Sequence, residues 1–574
     1  MASIVPYIPV SKIPGLTTTS IRDFTTEDWA AFSTDQLIAL TTVQAAVITS
    51  SGLSVLNSDQ LRAFQTEDLR AISTASIGGI NSDQFGFLTT DQIQALSTAQ
   101  IAQLSTTQLR GFSSDDMVAL TTVQVGAITS NQAKGLATDQ LAALESGDIK
   151  FLTTGALRAL TSTQLDGLTS DQLRSLTSTQ VNSLTTAQVR SLNTDDLNSL
   201  TSDQFNKLST AQVQALSTLQ LSSLATDSLN ALGSAQFASL SSTQVGSLTS
   251  DQLPKMETAD LRAITTAALG GLNSDQIQLL TSDEVAGLST AQIGALSATQ
   301  VKGLTAGDMA ALDNAQVAVL NSTQAAALRT DQLAAIETGD IKSLTTAALR
   351  ALSSTQLDGL TSDQLRALTS NQITALTTDQ VRTMNSDDLN SLTSDQFTKL
   401  TTAQVAALTT GQLSNLTTDA LNGLGTAQFA ALSSVQFAAL TSDQLPKLET
   451  ADLRAVTTAA LRGLNSDQIQ TLSSDEVGAL TTAQVGSLTA TQVKGLTAGD
   501  MTAMTTAQIA VLSSTQVAAL NTDQLSAIES ADMKSLTTVA LRALSSTQLD
   551  GLTSDQLRSL SSSQITALTT DQIR

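Results

Sequence analysis

The sequence predicts an all-α repeat solenoid built from very short capped helices, with one helix in each repeat of eight residues. Three observations predict it: an octapeptide period that never breaks, a helix-capping pattern inside each period, and a composition typical of repeat proteins. The same phase recurs every eight residues from Leu16 through Leu144 and Ile336 to Leu568, which makes 70 octads. The consensus is Leu, Ser/Thr, Ser/Thr, Asp/Ala/Thr, Gln, Leu/Ile/Val, a variable residue and a small residue.

The large apolar residues of each octad stand at positions 1 and 6. In a β-strand these two positions would face opposite sides. In a continuous α-helix, eight residues overshoot two turns by about 80°, so the apolar stripe would circle the helix and could not face one core. A helix that restarts in every octad fits better. An alternative remains open, in which two octads form one bent helix of a 16-residue hairpin unit.

Each octad carries the signals that begin a helix. In the octad of Leu248, Thr249 is the predicted N-cap and Gln252 the third helical residue, which is the capping-box pattern. Leu248 and Leu253 then form a hydrophobic staple. Asp at position 4 and Arg or Lys at position 7 match the helix dipole. Pro254 and Pro446 both fall at position 7, where a helix that is about to end tolerates proline.

Two segments are predicted: a proline-containing N-terminal segment at 1–15 and an octad-repeat α-solenoid at 16–574. A longer period of 192 residues overlies the octads, because closely similar stretches begin at Glu145, Glu337 and Glu529. The copies lie near 1–191, 192–383 and 384–574. Two interpretations stay open: tandem duplication without structural meaning, or 24 octads that match a whole number of superhelical turns.

The N-terminus differs from the rest in its prolines and aromatic residues. A solenoid needs an atypical end unit that covers its first layer, so one interpretation is a capping segment. The other is a contact for self-assembly or anchoring, because exposed aromatic side chains are favoured at interfaces. The candidate contacts are Tyr7, Phe24, Trp29 and Phe32.

The composition excludes most chemistry. The 574 residues include no His and no Cys, so imidazole acid–base catalysis, thiol nucleophiles and zinc–thiolate sites are excluded. A net charge of −23 opposes binding to nucleic acid or anionic lipid. We therefore expect no enzyme and no cofactor. Calcium is the one metal considered, because acidic pairs such as Asp115–Asp116 supply oxygen ligands, although helix capping also accounts for them.

Octads such as LTTDQIQA at Leu88 and LSTAQIAQ at Leu96 resemble the octapeptide arrays of large secreted, adhesin-like surface proteins of Gram-negative bacteria. The resemblance covers Leu16 to Arg574. It implies an extracellular or cell-surface location, with export through a C-terminal signal instead of an N-terminal signal peptide. No N-terminal signal peptide and no transmembrane segment are visible in the sequence. Because the chain stops within an octad, we expect it to be part of a longer polypeptide.

The function predicted is a non-enzymatic structural protein of the bacterial surface. It would self-assemble into a surface layer (S-layer), sheath or filament, or form the stalk of an adhesin. The alternative is a solenoid binding module whose concave face recognises a protein or glycan. A third hypothesis, an ice-binding array of regularly spaced Thr, conflicts with the use of the position 2 hydroxyls as helix caps.

Overall fold

A computed structural model describes residues 3–574; Met1 and Ala2, which belong to the predicted N-terminal segment, lie outside the described residues. The described chain forms 67 α-helices of four to six residues and five 3-10 helices, and it contains no strand. Three of the 3-10 helices stand in octads that lack an α-helix, so every one of the 70 octads has one helix. The prediction of an all-α repeat solenoid of short capped helices is confirmed.

The helix bounds follow the octads. Each α-helix begins at position 3 of its octad, and apart from the three octads with a 3-10 helix a new one begins every eight residues from Thr18–Asp23 to Thr570–Ile573. The 3-10 helices are Val5–Tyr7, Val10–Gly15, Leu253–Lys255, Ile341–Ser343 and Leu445–Lys447. Since no α-helix exceeds six residues, the alternative of a bent helix shared by two octads is wrong.

Reciprocal capping explains where each helix begins. In the octad of Leu160, the backbone N–H of Gln164 donates to Thr161 Oγ1 at 3.3 Å, and the N–H of Thr161 donates to Gln164 Oε1 at 2.8 Å. Thr161 itself is extended, with φ −70° and ψ 161°. Leu160 and Leu165 are buried on either side of the cap. The helix Ser162–Asp166 is therefore defined by its own eight residues.

The two prolines inside the array change the helix type locally. Pro254 lies in the 3-10 helix Leu253–Lys255, and Pro446 lies in Leu445–Lys447. Proline has no N–H, so position 7 of these octads cannot donate the α-helical bond to position 3. The preceding bond remains, because the N–H of Leu253 donates to the carbonyl oxygen of Thr249 at 3.0 Å and that of Leu445 donates to Thr441 at 3.1 Å. The tighter 3-10 turn keeps the octad in phase, since Leu253 and Leu445 remain buried.

The chain divides into two compact units, Met1–Leu288 and Ser289–Arg574. Within each unit the polypeptide coils, so that each helix packs against the helix three octads further along. Ser170–Ser175 packs against Thr194–Ser199 in the first unit, and Ser362–Ala367 packs against Ser386–Ser391 in the second. The side chains of octad positions 1 and 6 fill the inside of each coil and are almost completely buried, except in the first and last few octads.

The turns of each coil approach closely where position 8 is glycine. A Cβ added to Gly463 would lie 2.2 Å from the carbonyl oxygen of Ser434, which is 29 residues earlier. No larger side chain fits at that contact without movement of the backbone. The small residue of position 8 therefore permits the contact between turns. The predicted segments 1–15 and 16–574 and the meaning of the 192-residue period stay predictions.

Candidate functional site

The most regular feature of both units is a ladder of buried glutamines, one at position 5 of most octads. In the first unit, the backbone N–H of Thr169 donates to Gln172 Oε1 at 2.9 Å. Gln172 Nε2 donates to the carbonyl oxygens of Leu141 at 2.9 Å and Leu144 at 2.7 Å. In the second unit, Gln484 makes the same set of bonds. We call this pattern the glutamine ladder.

The ladder joins successive turns of each coil. The carbonyl oxygens of Leu141 and Leu144 lie at the C-terminal end of the helix Thr138–Ala143. The last carbonyls of a helix lack i+4 donors; that of Leu141 accepts only the short 3-10-type bond from the N–H of Leu144, at 3.2 Å, within its own octad. One glutamine side chain therefore caps the N-terminus of its own helix and the C-terminus of a helix 28 to 31 residues earlier. One coil turn accordingly takes between three and four octads.

Sequence reasoning found the local capping box but missed the bonds between turns. A signal was present: Glu satisfies a capping box as well as Gln does, yet position 5 is mostly Gln. The preference indicates that the amide donor is used, because a carboxylate can only accept hydrogen bonds.

Acidic residues interrupt the ladder in several octads. Asp68 is 2% exposed, and its Oδ2 has no hydrogen-bond partner. Burial, together with the negative charge of the neighbouring Glu67, raises the pKa of Asp68 to about 6. Burial likewise raises the pKa of Asp260 and Asp452 to about 6. These carboxyl groups sit where the other octads place an amide, so the fold disfavours their charged form.

The acidic pairs considered for calcium take part in helix capping. The N–H of Ser113 donates to Asp116 Oδ2 at 2.9 Å, and Asp116 is buried, whereas Asp115 is exposed. Asp196 is also buried, and Asn193 Nδ2 donates to its Oδ2 at 2.6 Å. Among residues 3–574, no group of three or more acidic, His or Cys side chains is arranged to hold a metal ion.

The aromatic residues near the N-terminus pack against one another. Trp29 stacks on Phe32 with ring centroids 4.8 Å apart, and Phe24 packs edge-to-face with Phe32 with ring centroids 5.5 Å apart. Trp29 and Phe32 are buried, and Phe24 is half-buried. Gly52 makes room for the indole, since a Cβ there would lie 2.7 Å from it. In these positions Trp29 and Phe32 contribute to the core of the first turns and offer no surface to a partner.

Tyr7 is separate from this cluster. It ends the 3-10 helix Val5–Tyr7 and is 85% exposed. Carbonyl oxygens of the same segment accept from the ladder, because Gln36 Nε2 donates to Val5 at 2.9 Å and to Ile8 at 2.8 Å. The N-terminal segment therefore occupies the place of a preceding coil turn, while the Tyr7 ring faces outward. Of the four candidate contacts, Tyr7 is the one that a partner could reach most easily.

An acidic stripe follows each coil. Position 4 carries an exposed Asp in octads that are usually 24 or 32 residues apart, and these steps bracket one turn. The acidic stripe of the first unit consists of Asp35, Asp59, Asp83, Asp115, Asp139, Asp171, Asp195, Asp227, Asp251 and Asp283. That of the second unit consists of Asp331, Asp363, Asp387, Asp419, Asp443, Asp475, Asp523 and Asp555. Each stripe therefore holds most, but not all, of the exposed Asp residues at position 4; the others are Asp91, Asp203, Asp275, Asp379, Asp395, Asp467 and Asp571.

The other side of the first coil carries alanine at position 4. These alanines are exposed and follow one another at steps of 24 or 32 residues; we call them the neutral face. They are Ala187, Ala211, Ala235 and Ala267. Ala187 follows Asp171 by 16 residues, which is slightly more than half a turn. The two sides of the first coil thus differ at position 4, although the exposed Arg190 at position 7 places a charge in the octad of Ala187.

Shallow surface clefts recur between turns. One of about 220 Å³ is lined by Arg350, Ser354, Thr377 and Asp379, among others. A second, of about 230 Å³, is lined by Arg110, Ser114 and Asp139 at equivalent octad positions. Two clefts of about 360 Å³ each contain Arg454 or Arg190 with several hydroxyl groups. A guanidinium group beside hydroxyls can hydrogen-bond a polar ligand, but only the second cleft has an aromatic lining residue, Phe112.

None of the described helices is long and apolar enough to cross a membrane. No curated protein matches the sequence significantly.

Solved structures show weak likeness. "Structure of APUM23-GGAAUUGACGG" is 12% identical, with 83% of this chain and 94% of that chain covered and a TM-score of 0.13. "Crystal structure of Kap121p bound to Nup53p" is 13% identical, with 97% and 68% covered and a TM-score of 0.15. "Crystal Structure of Importin Beta in an Ammonium Sulfate Condition" is 10% identical, with 98% and 84% covered and a TM-score of 0.15. Likeness at this level implies no shared function.

A family profile gives the sequence match. The profile of the ALTTAQ repeat matches twelve segments that together cover more than half of the chain. The segments are residues 61–98, 93–122, 112–145, 141–178, 175–210, 253–290, 333–370, 381–418, 418–448, 445–482, 498–527 and 525–560. An octad register, a capped helix in every octad and a profile match along most of the array agree. The chain belongs to the ALTTAQ repeat family.

Proposed function

We propose that this protein is a non-enzymatic structural component of the bacterial cell surface. It would be exported and would self-assemble into a surface layer, sheath or filament, or form the stalk of an adhesin. The glutamine ladder is the observation that carries the proposal. Its hydrogen bonds repeat from turn to turn within each unit, so the recurring glutamine of the octad serves cohesion of the coil.

The distribution of side chains supports this role. The apolar residues and the amides lie inside each coil, and the outside carries mainly hydroxyls, small residues and the acidic stripe. A surface of this kind stays hydrated and has no cluster of catalytic groups. It suits a protein whose task is to span distance or to pack beside copies of itself.

The two sides of the coil suggest how copies would associate. Acidic stripes that face each other repel, and salt screens that repulsion. The neutral face of Ala187, Ala211, Ala235 and Ala267 carries no such charge at position 4. We therefore expect lateral packing through the neutral face, with the acidic stripe directed to solvent.

Cryo-EM of the purified chain at several concentrations, with and without calcium, tests the proposal. Ordered filaments, tubes or sheets would support self-assembly. The double variant Ala211→Asp/Ala235→Asp should abolish them, because it extends negative charge onto the neutral face. Asp is common at position 4, so this variant should fold. The matched control is Asp195→Asn/Asp227→Asn, which should assemble at least as readily as the parent chain.

Isolated coils at every concentration would contradict self-assembly. The stalk of an adhesin and the binding module would then remain as the candidate functions. The surface clefts favour the second candidate, a module that binds a protein or a glycan. Their arginine and hydroxyl groups match the hydrogen-bonding groups of sugars. Glycan-array binding that is lost in Arg350→Ala would support that candidate.

A further inference from the structure

Glu replaces Gln at position 5 in two equivalent octads, at Glu284 and Glu476. In both cases the octads four places earlier contain the prolines Pro254 and Pro446. Glu476 keeps the local half of the glutamine pattern. Its Oε2 accepts from the N–H of Ser473 at 2.6 Å and from Ser473 Oγ at 2.8 Å.

Glu476 does not form the hydrogen bonds between turns that glutamine forms at this position. In the next octad, Gln484 Nε2 donates to the carbonyl oxygens of Leu453 and Val456, both at 2.8 Å. Glu has the same shape as Gln, so its Oε1 takes the place of that nitrogen. Glu476 is 3% exposed, and Oε1 has no hydrogen-bond partner. Glu284 Oε1 is buried without a partner in the same way.

The corresponding carbonyl oxygens for Glu476 are those of Leu445 and Leu448, 31 and 28 residues earlier. An oxygen in place of the amide nitrogen is directed at two further oxygens, and a carboxylate supplies no hydrogen to any of them. At hydrogen-bond separations a proton fits between two oxygens. A calcium ion takes about six to eight oxygen ligands, whereas this position offers one carboxylate oxygen and two carbonyl oxygens.

We propose that Glu476 is a proton-operated latch between two turns of the second coil. With a proton from solvent on Oε1, the carboxyl group donates to the carbonyl oxygens of Leu445 and Leu448, as glutamine does elsewhere. Without that proton the contact opens, because the carboxylate faces carbonyl oxygens.

The charged groups around Glu476 come from its own helix, from two helices packed against that helix, and from the 3-10 helix Leu445–Lys447. Its own helix, Ser474–Ala479, contributes the exposed Asp475. The neighbours contribute Glu449, Asp452 and Arg454 around the helix Thr450–Ala455, Asp500 of the helix Ala498–Ala503, and Lys447 of the 3-10 helix. Asp500 Oδ1 accepts from Ser474 Oγ at 2.9 Å. Among the described residues, no ion pair joins Glu476 to Lys447 or Arg454.

The direction of the pH response follows from these surroundings. Burial raises the pKa of Glu476, hydrogen bonds from Ser473 oppose the rise, and Asp475 adds to it. A carboxyl group with a raised pKa stabilises the fold fully below its ordinary value of 4.5, and this contribution is lost as pH rises through the raised pKa. The latch is closed in acid and opens toward neutral pH.

Hydrogen–deuterium exchange on the full chain tests the latch, with residues 445–452 followed from about pH 4 to pH 8. Dividing the exchange rate of the parent chain by that of Glu476→Gln at each pH cancels the intrinsic chemistry. We expect a ratio near one at about pH 4 that rises to about tenfold or more at pH 8. A ratio that stays constant, or that is largest in acid, would overturn the proposal.

Two further measurements test whether the carboxyl group and its proton cause the expected pH dependence. Gln484→Glu places the same carboxyl group in an octad without proline opposite, and it should create the same pH dependence around residues 453–460. If it creates none, an acid in place of the amide does not form a latch. Protection restored at pH 8 by millimolar calcium in the parent chain, but not in Glu476→Gln, would identify a cation site and overturn the proton latch.

Discussion

Gln92 donates from Nε2 to the carbonyl oxygen of Phe64 at 2.8 Å, across 28 residues of chain. The same side chain accepts from the backbone N–H of Thr89 at 3.0 Å. One amide therefore begins its own helix and holds the end of a helix in the preceding turn. Because most octads repeat this bond pair, turn-to-turn cohesion is distributed along each unit.

Gln92→Leu keeps the approximate volume but removes both bonds, and it leaves the buried carbonyl oxygen of Phe64 without this donor. We expect the free energy of unfolding to fall by about 1–3 kcal/mol. Chemical denaturation followed by circular dichroism measures it. Gln94→Leu is the control, because Gln94 is exposed at position 7 of the same octad. Equal losses in the two variants would contradict a special role for the buried amide.

Gly463→Ala should destabilise the second unit by about 1–3 kcal/mol, because the new methyl group would collide with the carbonyl oxygen of Ser434. Gly339→Ala provides the comparison. No atom lies within 4 Å of its added Cβ, so this variant should be neutral or more stable by up to about 1 kcal/mol. Thermal unfolding of both variants measures these changes in stability. An unchanged Gly463→Ala protein would show that the turns separate without cost.

Trp29→Ala and Tyr7→Ala separate the two interpretations of the N-terminus. Trp29 is fully buried, and its loss should cost about 3–5 kcal/mol in the first turns. Tyr7→Ala should change stability by less than about 0.5 kcal/mol, because the ring is exposed. Chemical denaturation gives the stabilities, and light scattering gives the state of assembly. Assembly lost in Tyr7→Ala at unchanged stability would identify Tyr7 as a contact, whereas unchanged assembly would leave the N-terminus as a cap.

Asp452→Asn should make the protein more stable at neutral pH and leave it unchanged near pH 4. Burial raises the pKa of Asp452 from 3.8 to about 6, and the nearby Glu449 adds to the rise. Its contribution to stability is complete below about pH 3.8 and is lost as pH rises through 6. Urea denaturation across this range measures the change, with the exposed Asp443→Asn as control. A gain confined to acid pH would contradict the expected sign.

The sequence by itself determined the helices and their register. Thr161, Gln164 and the apolar pair Leu160 and Leu165 lie within six residues of one another, so cap and staple are local interactions that a sequence displays directly. The same eight residues also determine which side chains face inward. A capping pattern within one octad does not show which residues of another turn its side chains bind. The hydrogen bonds from Gln172 to the carbonyl oxygens of Leu141 and Leu144 were therefore not predicted from the sequence.

Only the tertiary structure decided how many octads make one coil turn, and three conclusions depend on that number. A turn of between three and four octads brings Asp residues 24 and 32 apart into one acidic stripe. The same turn length buries Trp29 and Phe32 inside the first turns, although the sequence also allowed them to be exposed contact residues. It also places Glu476 opposite Leu445 and Leu448. In each case the physical reason is the same. An octad defines its own helix, but the packing of the buried side chains sets the angle between that helix and the next helix.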